Sequence, residues 1–90
     1  MSDREQMIRE RLETVFSPTL LEIIDESHKH AGHAGARGGG HFVAHIVSDA
    51  FTGKSTIQRH RMVFDAVAEL MNTEIHALNI KAETTEENDA

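Results

Sequence analysis

Between His41 and Ser48 the chain alternates strictly, with Phe42, Ala44 and Ile46 on one side of an extended backbone and His41, Val43, His45 and Val47 on the other. A strand patterned in this way belongs in a sheet that packs on one face, and the length of 90 residues bounds what can cover it. With no linker in the apolar pattern, the expectation is a single small domain over 1–82, its core a thin layer between a few helices and one sheet. Such a domain can carry a site on its surface or edge but hardly encloses one.

The other elements read outward from that strand. Ser2 and Glu5 have capping-box spacing, and Ile8, Leu12, Val15 and Phe16 then draw an apolar helix stripe that Pro18 should stop. The branched apolar run from Leu20 to Glu26 predicts a first strand, joined to the second through a glycine-rich loop. Ser55 and Gln58 form a second capping pair, after which Ile57, Phe64, Val67 and Met71 mark a buried helical face closed by Asn72. A last strand covers Ile75 to Lys81, with His76, Leu78 and Ile80 on one face, and a short extra helical turn falls near Ser55 to His60. Met7, Met62 and Met71 suit core positions. Residues 83–90, with Glu83, Glu86, Glu87 and Asp89, offer nothing to bury and are expected to be a disordered acidic tail. The sum is an α+β sandwich with helices on one sheet face.

Histidine dominates the chemistry. Five of the seven, His28, His30, His33, His41 and His45, crowd around the run Ala34-Gly35-Ala36-Arg37-Gly38-Gly39-Gly40, which suggests metal binding, an exchangeable ligand or a pH switch. The chain has no cysteine, so disulfides, thiolate-only metal sites and thiol catalysis are excluded and any iron-sulfur chemistry needs sulfur from a partner. A zinc or nickel site made by His28, His30 and His33 alone would order a flexible loop and is expected to be weak and adventitious.

The formal charge of -6 argues against nonspecific wrapping of nucleic acid, yet no acidic residue lies between Asp49 and Asp65 while Lys54, Arg59 and Arg61 do. Gly53 to Arg61 therefore reads as a turn and helix start that could meet phosphate, or as a docking patch for an acidic partner that includes His60 and Met62. It has neither the Gly-x-x-Gly loop of a KH domain nor an interleaved aromatic for base stacking, so DNA binding should be weak and salt-sensitive. Ser55 and Thr56 are caps, not nucleophiles, and nothing resembles a catalytic triad or paired carboxylates, so no enzyme is expected. The N-terminal residues lack the apolar core of a signal peptide and no apolar run matches a membrane span, which leads to the expectation of a soluble, cytoplasmic protein.

Phe51-Thr52-Gly53-Lys54, Arg59-His60-Arg61-Met62-Val63 and Ile75-His76-Ala77-Leu78, with Asp25-Glu26-Ser27 and Val47-Ser48-Asp49 before them, together resemble the BolA family from the first helix to about Thr85. The resemblance implies a class II KH-like α/β fold of α-β-β-α-α-β order with a three-stranded mixed sheet. It also implies an adaptor, monomeric alone, that binds a monothiol glutaredoxin and shares a [2Fe-2S] cluster with it and with glutathione, in iron-sulfur trafficking or iron homeostasis. The family's ligand before the last strand falls on His76. Its loop ligand falls on His30 when counted forward from Asp25-Glu26-Ser27, on His33 when counted back from Phe42, or on His41 just before the strand, the loop here being longer and richer in glycine than in bacterial relatives. Bacterial members act as DNA-binding regulators of stress response, morphology and biofilm, which would use Lys54, Arg59 and Arg61.

Overall fold

Ile8, Leu12 and Phe16 recur every fourth residue, and in the computed structural model they form the buried stripe of helix α1 (Asp3–Phe16). The structure describes residues 3–26 and 40–89. His28, His30, His33 and Ser2, on which the loop ligands and the first capping pair were expected, lie outside the described residues. Val15 and Met7, expected in the stripe and the core, are exposed, because the stripe needs only one residue per turn and the four-residue repeat turns both away.

After Ser17, which takes a positive φ of 43°, the chain enters strand β1 (Leu20–Asp25). Strand β2 (Gly40–Val47) lies at the centre of a three-stranded sheet of order β1-β2-β3, antiparallel to β1 with Glu22 opposite His45 and parallel to strand β3 (Ile75–Glu83). The alternation holds: Phe42, Ala44 and Ile46 are buried against Ile8, Leu12 and Phe16 of α1, while His41, Val43 and His45 are only half-buried. Val47, assigned to the other face, is buried as well at the end of the strand.

Helix α2 (Thr56–Ala66) opens with the expected capping box, the Ser55 hydroxyl accepting from the Gln58 N–H at 3.2 Å and the Gln58 side chain accepting from the Ser55 N–H at 2.8 Å. Ser55 to His60 form its start and not a separate turn; 3-10 turns instead flank it at Asp49–Phe51 and Ala68–Leu70. Its buried side is Val63, continued by Val67 and Leu70, whereas Ile57 is 65% and Phe64 37% exposed. Two apolar stripes satisfy helical spacing in this segment, and the second 3-10 turn selects between them by carrying Leu70 into the core. Asn72, read as a cap, takes a left-handed φ of 66° and its N–H donates to Ile75 O at 2.8 Å, turning the chain into β3.

The acidic tail is not disordered where it is described. Strand β3 continues to Glu83, Thr84 is buried, and a five-residue helix α3 (Thr85–Asp89) follows. Sequence composition alone gave these residues nothing to bury; their partner is a side chain 28 positions earlier, Arg59.

Candidate metal-ligand pair and cation cluster

The parallel ladder pairs Gly40 with Ile75 but His41 with Ala77, so His76 is an extra residue on β3. That bulge decides where the imidazole goes. Leu78 and Ile80 pack against the core as expected, but His76 is exposed and does not share their face. It stands instead beside His41, the ring centroids 5.1 Å apart and the planes tilted by 35°. Two imidazoles bound to one tetrahedral ion at ~2.1 Å place their ring centres about 5 Å apart, so the observed separation suits a shared metal. Among the described residues no group of three or more His, Asp or Glu side chains converges as a complete site. The donor set is thus two imidazoles and no sulfur, which fits one iron of a cluster only if thiolates come from another molecule.

His45, from the same crowded stretch, is engaged otherwise. Its Nε2 lies 2.6 Å from Glu83 Oε1 and its Nδ1 3.4 Å from Glu22 Oε1, linking all three strands across the sheet face. Sequence reading missed this role because Glu83 sits on β3 diagonally from His45, a relation that exists only once the parallel register is known.

The basic segment is divided by the fold. Gly53, at φ 77°, makes the turn before α2 that no side-chain-bearing residue adopts easily. Lys54 and Arg61 are exposed, and His60 and Met62 are partly buried, Met62 against the core. Arg59 is held within the fold. Its Nε donates to Lys54 O at 2.9 Å, its Nη1 to Ala82 O at 3.1 Å and to Glu87 Oε1 at 2.6 Å, and its Nη2 to Glu87 Oε2 at 3.1 Å. Glu87 also closes a capping box at the start of α3, accepting from the Thr84 N–H at 2.8 Å while its own N–H donates to Thr84 Oγ1 at 3.1 Å.

Hydrogen bonds from the Arg59 guanidinium, and then from the Thr84 N–H, hold the Glu87 carboxyl down to about 2 from an ordinary value near 4.5. A depressed carboxyl stabilises the folded state above its ordinary value and loses that contribution as pH falls toward its folded value. The docking of α3 should therefore be intact at pH 5 and above and fade between about 4.5 and about 2. An acid titration followed through the Thr84 and Glu87 amide resonances checks this; resonances that move only with an ordinary carboxyl midpoint would remove the pairing.

A three-stranded mixed sheet with α1 and α2 over one face and an imidazole pair beside the bulge of β3 defines a class II KH-like α+β domain, without a pocket among the described residues. The chain belongs to the BolA family, whose model, described as BolA-like protein, matches residues 12–87. It is 42% identical over 85 residues to the DNA-binding transcriptional regulator BolA of Escherichia coli (strain K12), covering 90% of this chain and 79% of that protein. It is 43% identical over 93 residues to SufE-like protein 1, chloroplastic/mitochondrial, of Arabidopsis thaliana, covering 97% of this chain but only 25% of that longer protein. The solved BolA domain of SufE1 from Arabidopsis thaliana superposes with a TM-score of 0.85 at 43% identity, over 97% of this chain and 98% of that one.

Proposed function

We propose that this domain is an adaptor that binds a monothiol glutaredoxin and, with His76 and His41, completes a bridged [2Fe-2S] cluster for iron-sulfur trafficking or iron homeostasis. The observation that carries the reading is the 5.1 Å pairing of the two imidazoles on the bulge. The bound cluster would take its thiolates from the glutaredoxin and glutathione, since this chain has none. The chain's own part is to present two imidazoles from adjacent strands, a ligand type that raises a cluster's potential relative to thiolate and that is released on protonation. Both properties suit transfer or sensing better than storage.

Mixing the protein with a cluster-loaded monothiol glutaredoxin should change the visible circular dichroism, and His76→Ala should abolish the change. His41→Ala is expected to do the same, while His30→Ala and His33→Ala should leave it. A loss in either of those and none in His41→Ala would move the second ligand into the loop. An unaltered spectrum with the native chain would remove the reading altogether.

A second reading, DNA binding in transcriptional regulation, is favoured by the 42% identity to the Escherichia coli regulator. Lys54 and Arg61 are its exposed cations, and neither side chain has a hydrogen-bond or ion-pair partner among the described residues. With only these few cations on a chain of formal charge -6, the binding would be weak and strongly salt-dependent.

A further inference from the structure

The guanidinium of Arg59 lies on the same segment as Lys54 and Arg61 yet faces a carboxylate of its own chain through two parallel hydrogen bonds. A carboxylate and a phosphate present the same paired oxygens to a guanidinium fork, so Glu87 occupies Arg59 as a backbone phosphate would. We propose that Arg59 is an anion subsite for a phosphate of duplex DNA, and that the acidic helix α3 is its built-in competitor, docked when DNA is absent and displaced when DNA binds. This rests on the DNA reading of the Lys54 to Arg61 surface.

Three features make α3 displaceable. It has five residues and none of them is buried, and a helix this short has little stability of its own. In its docked position the Thr85 hydroxyl oxygen is buried without a hydrogen-bond partner among the described residues, which penalises docking. The Arg59–Glu87 pair is open to solvent on the carboxylate side, the Glu87 side chain being 47% exposed against 13% for Arg59, so competing ions can reach it. Glu83, whose charge also acts on Arg59, stays on β3 and would remain when the helix leaves.

A labelled DNA duplex titrated by fluorescence anisotropy across a salt series tests this with the full chain. Glu87→Gln should bind about two- to fivefold tighter than the native protein at low salt, the scale of releasing one surface charge pair. Its log-log salt slope should stay native, because Arg59 meets the phosphate in both complexes, whereas loss of Arg59 should flatten the slope by about 0.9, the decrement for one lost phosphate contact. Glu86→Gln makes the same change in net charge on the same helix without touching Arg59, and should keep near-native affinity. In the Arg59→Gln, Glu87→Gln double variant the gain should disappear. Equal affinity for Glu87→Gln and native protein, or an equal gain from Glu86→Gln, would overturn the competitor role. If native binding occurs and is lost in Lys54→Ala, Arg61→Ala, the DNA reading survives that failure; if neither native protein nor Glu87→Gln binds, both fall together.

Discussion

Phe51→Ala is expected to lower the free energy of unfolding by about 3–5 kcal/mol, the range for deleting a fully buried aromatic side chain. Phe51 ends the 3-10 turn that follows β2, is completely buried, and stacks on Phe16 at the last residue of α1 with ring centroids 4.9 Å apart and planes at 40°. The ring therefore joins the end of the central strand to the end of the first helix. Close-packed interiors relax only partly around such a hole. At roughly 4–8 °C per kcal/mol for a domain of this size, melting should fall by at least about 12 °C. Urea unfolding is the direct measurement, and a loss below about 1 kcal/mol, typical of exposed sites, would show that the ring is not part of the core.

The next largest effect is expected at Ser48, buried at 2% exposure. Its hydroxyl donates to Phe16 O at 2.6 Å and accepts from the Ala50 N–H at 3.1 Å. The first bond satisfies a carbonyl that the end of α1 leaves without an intrahelical partner, and the second caps the 3-10 turn. Ser48→Ala removes almost no volume but strands both groups, at a cost of about 1–3 kcal/mol. Because Ser48 and Phe51 both act on Phe16, the double variant should lose less than the sum of the singles, and strict additivity would argue against a shared contact.

Much of this architecture is legible in the residues. The alternation from Phe42 to Ile46, the Ser55 and Gln58 capping pair and the Asn72 turn are local patterns, and local patterns survive folding when no distant contact opposes them. What could not be read depends on partners far along the chain. The period of two places His76 with Leu78, and only the register of β3 against β2 reveals the bulge that sets it beside His41. The exposed Ile57 and Phe64 satisfy helical spacing as well as Val63 and Val67 do, so the choice between them belongs to the sheet and to the 3-10 turn. Residues 83 to 89 look solvated by composition because the cation that orders them, Arg59, is on α2. The same contact withdraws Arg59 from the set of free cations on which a reading of local charge would count.

The parallel pairing of β2 with β3 also fixes when the imidazole pair can exist. Gly40 pairs with Ile75, 35 positions later, so the ladder that holds His41 against His76 closes a large loop and forms only after the segment containing α2 has been made. During synthesis, or in a fragment ending before Ile75, six of the seven histidines are already present while the pair is not. Histidine content and ligand geometry are therefore separated in time: a nascent chain can meet a metal ion through scattered imidazoles, but only the completed sheet offers the pair to a partner.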